Sequence, residues 1–121
     1  RVPAKRLIKQ GDYSYESGHV QMRHLLEENP DVDGVFACND LMALGAIAAI
    51  EEAGKTVPDD IAVIGFDDSI PARTSRPQLS TVRQDINALG EAAAQLMIAQ
   101  LNGEPVESRI MPIELVLRES A

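Results

Sequence analysis

The sequence holds a single cysteine, Cys38, so no disulfide can form within the chain. No cysteine–histidine spacing of the kind that grips zinc occurs either, and no metal or other cofactor is expected. No apolar run approaches the ~20 residues of a membrane-spanning helix. Residues 1–20 lack the basic start and apolar middle of a signal peptide. Positive charge is scarce: 11 Lys and Arg stand against 19 Asp and Glu, for a formal net charge of −8. A surface of that sign repels phosphate backbones, so this segment is by itself a poor nucleic-acid binder. There is no glycine-rich phosphate loop, which disfavours nucleotides as ligands.

Within those limits, 121 residues that are 45% hydrophobic and 25% charged fit one ordinary globular domain with a true core. Apolar and polar segments alternate. Leu7 and Ile8, within residues 5–10, predict a short strand, followed by a polar turn over residues 11–18. From about residue 17 to 28, Val20, Met22, Leu25 and Leu26 fit one helical face, with His19 and His24 on its solvent side. Asn29-Pro30 ends that helix, because proline disfavours the helical conformation in the residue before it. VDGVFAC, residues 32–38, predicts a buried strand, in which Cys38 reads as a structural thiol rather than a nucleophile.

The next helix is the clearest. Asn39 or Asp40 supplies an N-cap, and apolar residues from Leu41 to Ala53 cover nearly its whole circumference before Gly54 closes it. A helix apolar nearly all round must be covered on more than one side. IAVIG, residues 61–65, predicts a strand buried on both faces of a parallel sheet. Residues 70–77 read as loop and 79–82 as a short strand. Asp85 or Asn87 caps a helix running to Leu101, with Ile86, Leu89, Ala93, Leu96, Met97 and Leu101 on its apolar face. IMPIELVL, residues 110–117, predicts a strand in two halves hinged at Pro112, which cannot donate to a ladder. This alternation predicts an α/β fold on a parallel sheet, a three-layer sandwich.

Two of the predicted strands run straight into polar residues: VFAC into Asn39-Asp40, and IAVIGF into Asp67-Asp68. Taken singly, each pair is an ordinary helix cap. Ligands of open parallel sheets, however, bind beyond the carboxyl ends of the strands. Two such rims on one sheet therefore point to a cleft whose amide and carboxyl groups can hydrogen-bond hydroxyls.

FACNDLMALGAIAAIEEAG, then VPDDIAVIGFDDS, RPQLSTVRQD, the LG..AA..L pattern and the closing ELVLRES together resemble the lactose/galactose repressor family. Any one of these motifs is weak; five in the family's order are specific. The resemblance implies a periplasmic-binding-protein-like effector domain of a cytoplasmic transcription regulator, non-enzymatic, that reaches DNA only through a separate N-terminal headpiece. It implies that residues 1–83 and 113–121 form the C-terminal effector subdomain, without its first βα unit. Residues 84–112 then form a helix and crossover belonging to the N-terminal subdomain. Carried over residue by residue, Asn39, Asp67 and Gln84 match effector-contacting positions, and Tyr13 matches an aromatic that walls the ligand, which the resemblance implies is a sugar. Asp68 reads as a structural cap. The family pairs through this subdomain, which implies a homodimer surface of Leu41, Met42 and Leu44 with residues around Ser69 to Arg73. The competing reading is an extracytoplasmic sugar-binding protein of a transporter, which shares the fold.

Overall fold

The computed structural model describes residues 5–121. Eight elements follow in order: α1 (Tyr15–Glu28), β1 (Gly34–Phe36), α2 (Asp40–Glu52), β2 (Ala62–Asp67), α3 (Ile70–Thr74), β3 (Ser80–Gln84), α4 (Ile86–Leu101) and β4 (Ile113–Val116). The four strands form one sheet in the order β1-β2-β3-β4. Pairing is parallel through β3, while β4 lies antiparallel against β3, so the sheet is mixed.

Helices α1, α2 and α4 each begin where a short polar side chain satisfies a free backbone N–H. Ser14 accepts from Ser17 at the start of α1, Asn39 from Met42 at the start of α2, and Asp85 from Ala88 at the start of α4. The core lies between α2 and one face of the sheet. Ala43, Ala46, Ile47 and Ile50 of α2 pack with Ile61, Val63 and Leu79, and Met22 of α1 closes the cluster. Burying each of the large aliphatic residues contributes about 1.5–3 kcal/mol.

The second cover that an all-round apolar helix requires is supplied largely by α1, which packs along α2. Two glycines permit that approach. A Cβ on Gly18 would lie 2.2 Å from the Met42 carbonyl oxygen, and one on Gly45 would lie 2.0 Å from the Tyr15 carbonyl oxygen. The helices meet backbone to backbone at both points.

Several sequence expectations change. Residues 5–10 form no strand: Lys5–Leu7 is a 3-10 turn, since among the described residues no strand lies alongside to pair with it. The strand expected over residues 32–38 shrinks to Gly34–Phe36. It is an edge rather than a buried strand, and Phe36 is 60% exposed. Cys38 is exposed, not buried, because it follows the strand's end while Ala37 takes the inward position. β2 is fully buried only on its Ile61, Val63 and Gly65 side; Ala62, Ile64 and Phe66 are half-buried. Residues 70–74 form a short helix with proline in its first turn rather than a loop. Val20 is exposed, and His19 is half-buried, its Nε2 2.8 Å from Glu52 Oε2 on α2. Ile110–Pro112 adds nothing to the sheet, so only the second half of IMPIELVL is a strand. Among the described residues, no helix is long and apolar enough to cross a membrane.

Candidate functional site: the rim at the carboxyl ends of β1 and β2

Parallel pairing places the carboxyl ends of β1 and β2 side by side, with Phe36 opposite Ile64. Asn39 lies three residues beyond Phe36, and Asp67 three beyond Ile64, so both follow the same end of adjacent parallel strands. The two predicted rims therefore stand at one edge of the sheet, as Asn39 and Asp67 require if they share a cleft.

Each rim residue is also held by a second one. The Asn39 side chain accepts from Met42 N at 2.9 Å and donates to the Tyr13 carbonyl oxygen at 2.8 Å. Tyr13 has a φ of 69°, and its ring is 66% exposed beside that bond. The turn before α1 is stiffened by Asp12, whose pKa is lowered to about 2, chiefly by the hydroxyl of Ser14. Across the rim, Gln84 Nε2 donates to Asp67 Oδ1 at 2.8 Å. Residues Tyr13 and Asn39 thus form one pair, and Asp67 and Gln84 another.

Asp67 and Asp68 have φ values of 115° and 57°. Non-glycine residues in that region cost of order 1–3 kcal/mol each and persist only where the surroundings dictate them. Asp68 shows what dictates them here. It is 4% exposed and caps nothing, since Ser69 holds the N-cap position of α3. Its carboxylate accepts from Arg118 at 2.6 Å, Arg83 at 2.7 Å and Arg73 at 3.0 Å. Burial pushes its pKa up, but hydrogen bonds from Arg83, Arg118 and Arg73 outweigh that, and the pKa falls to about 2. Its own hydrogen bond to the Asp68 carboxylate raises the pKa of Arg83. Its Nη1 also contacts Glu114 on β4 at 3.3 Å.

This clamp was illegible in the sequence. Asp68 reads locally as a cap, and its partners lie 5, 15 and 50 residues away. Asp40 was missed in the same manner. It reads as an alternative cap beside Asn39, yet it is 2% exposed and bonds to Ser69 and Thr81.

The expected dimer residues do not all face outward. Leu41 is 44% exposed and Arg73 is exposed, but Met42 and Leu44 are partly buried against the core. Met42 faces inward because its sulfur packs by Gly11. A separate apolar cavity of about 460 Å³ lies between residues 7–9, α1, β1 and α2. Among the described residues, no group of three His, Cys, Asp or Glu side chains is placed to hold a metal ion.

A sheet of this kind, with adjacent parallel strands that both run into polar residues at their carboxyl ends, has the layout of an open α/β ligand-binding lobe. The chain matches the family model of the periplasmic binding protein-like domain over residues 1–121 and belongs to that family, and its structural neighbours are lactose repressor-type transcription regulators. It is 41% identical over 111 residues to the HTH-type transcriptional regulator CelR of Thermobifida fusca, covering 92% of this chain and 32% of that protein. To the HTH-type transcriptional repressor PurR of Histophilus somni it is 41% identical over 115 residues, covering 93% of this chain and 34% of that one. Among solved structures, the CelR–cellobiose complex superposes with a TM-score of 0.92 at 38% identity, covering 99% of this chain and 37% of that one. The lac repressor dimer bound to operator gives 0.84 at 35% identity, covering 91% and 34%. The chain thus spans about a third of the length of the curated relatives it matches.

Proposed function

We propose that this chain is the effector-binding and dimerisation segment of a cytoplasmic DNA-binding transcription regulator. It takes a sugar or related small polar ligand and catalyses no reaction. The ligand sits against Asn39, Asp67 and Gln84, with the Tyr13 ring as a wall for the apolar face of a sugar. The observation that carries this reading is the Asp67–Gln84 bond of 2.8 Å at the end of β2, beside Asn39 at the end of β1. These groups offer fixed donors and acceptors at the place where open α/β sheets bind ligands.

The structure also supports a division of the chain. Residues 1–83 and 113–121 belong to one subdomain, and residues 84–112 to the other. Among the described residues, α4 packs closely against no other helix or strand, and Ile86, Met97, Ile98 and Leu101 are exposed along it. The unpaired outer edge of β1 and the apolar cavity beside it fit a further βα unit on that side. Ligand closes the two subdomains and thereby biases how the regulator meets DNA, which requires tighter binding to one arrangement than to the other. Dimerisation uses Leu41, Ser69 and Arg73, with Met42 and Leu44 supporting them from within. The exposed Ile70 extends this surface.

The test is calorimetry on the full-length regulator with a panel of saccharides that includes cellobiose. Asp67→Ala should weaken binding roughly ten- to a hundred-fold, as expected when a charged acceptor of ligand hydroxyls is lost. Unchanged affinity would remove Asp67 from the site.

A further inference from the structure

We infer that Asp40 is a positioning residue for the ligand rim: one buried carboxyl group sets the relative placement of Asn39, Asp67 and Gln84. The inference rests on the rim's being the effector site.

Asp40 is 2% exposed, and each of its oxygens serves a different segment. Oδ2 accepts from the backbone N–H of Ser69 at 2.7 Å. Oδ1 accepts from the Thr81 hydroxyl at 2.6 Å, within the buried interior. Asp40 follows Asn39 directly, Ser69 lies two residues after Asp67, and Thr81 lies three residues before Gln84. All three rim residues thus lie within three residues of Asp40 or of a group it holds. Its own position is fixed by α2, whose first turn it occupies and whose N-terminal end favours an acidic group.

The packing beneath reserves that place. A Cβ on Gly65 would lie 2.5 Å from Asp40 Oδ1, so β2 carries glycine where the carboxyl crosses it. The strained turn explains why an anchor is needed. Asp67 and Asp68 both hold positive φ, and Ser69 is the first residue after them. Arginines hold Asp68 from one side, and Asp40 holds the Ser69 N–H from the other. Released at Ser69, the turn can relax toward ordinary backbone angles, which moves the Asp67 carboxyl away from Gln84. Asn39 aims one hydrogen-bonding group, while Asp40 sets the spacing of all three.

The test compares Asp40→Asn, Thr81→Val and Thr81→Ser in the full-length regulator. Valine keeps the shape of threonine and removes the hydroxyl; serine keeps the hydroxyl. Native-state amide exchange is read at Ser69 and at Val63, a core amide on β2 bonded to Ser120. The Gln84 side-chain amide is followed by NMR, and cellobiose affinity by calorimetry. We expect Asp40→Asn and Thr81→Val to speed exchange at Ser69 roughly ten-fold more than at Val63, the scale of losing one hydrogen bond to a charged acceptor. Both should shift the Gln84 amide signal and weaken cellobiose roughly ten-fold, with Thr81→Ser restoring wild-type behaviour. Equal acceleration at Ser69 and Val63 overturns the inference, because it reports general loosening of the fold. So does a loosened Ser69 with cellobiose affinity intact in a protein whose Asp67→Ala form has lost it. If Ser69 loosens and Gln84 shifts but Asp67→Ala leaves binding unaltered, the site assignment falls and the Asp40 anchor stands.

Discussion

Arg118 donates to Asp68 over 2.6 Å across a separation of 50 residues, tying the segment after β4 to the strained turn after β2. The same guanidinium donates to the Leu79 carbonyl oxygen at 2.8 Å, so one side chain joins three parts of the sheet's margin.

The hydrogen bonds that Asp68 accepts from Arg83, Arg118 and Arg73 make stability depend on acid. The folded-state pKa of Asp68 is lowered from 3.8 to about 2, so the folded protein binds this proton less readily than the unfolded chain does. The resulting stabilisation, about 2 kcal/mol, is fully present above about pH 4 and is lost as pH falls through about 2. Urea unfolding followed from about pH 5 down to about pH 2 should show this loss, and Asp68→Asn should flatten that part of the curve while lowering stability at neutral pH.

Two alanine substitutions should act with opposite sign. Gly45→Ala drives a Cβ into the Tyr15 carbonyl and should cost roughly 1–3 kcal/mol or more, since neither backbone can yield. Gly90→Ala meets nothing within 4 Å on α4 and should stabilise by about 0.5–1 kcal/mol through reduced unfolded-state freedom. Urea midpoints at constant slope check both.

The exposed side chains of Leu41 and Ile70 supply the outward part of the proposed dimer surface. In the full-length regulator, Leu41→Glu combined with Ile70→Glu should shift sedimentation equilibrium from dimer toward monomer, because burying two unpaired charges opposes association. A dimer unaffected by both changes must pair elsewhere.

Cys38 should react with a thiol-specific reagent in the native chain at a rate close to that of the unfolded protein. Protection of many-fold would mean that it lies inside the fold after all.

The pattern of apolar runs was enough to place most elements. β2, α2 and the α1 turns from Met22 onward follow from periodicity and caps, and Asn29-Pro30 and Gly54 end their helices as those residues do generally. The strand ends also pointed to Asn39 and Asp67 as one rim, because parallel neighbours must finish on the same side. What went astray was burial. Cys38 and Phe36 look like core residues, and Leu89 and Met97 look like a packed helix face, yet all are exposed. Periodicity reports which residues share a face, and it is silent on whether anything covers that face.

The sequence by itself thus determined the α/β alternation, narrowed the caps of α2 and α4 to two residues each, and set the two polar strand ends, since each arises from contacts between near neighbours in the chain. Only the tertiary structure decided that Asp68 gathers three arginines, that Asp40 bridges Ser69 and Thr81, and that α1 meets α2 through Gly18 and Gly45. Those contacts join residues distant along the chain, and a local pattern carries no record of which remote group will fold back to complete it.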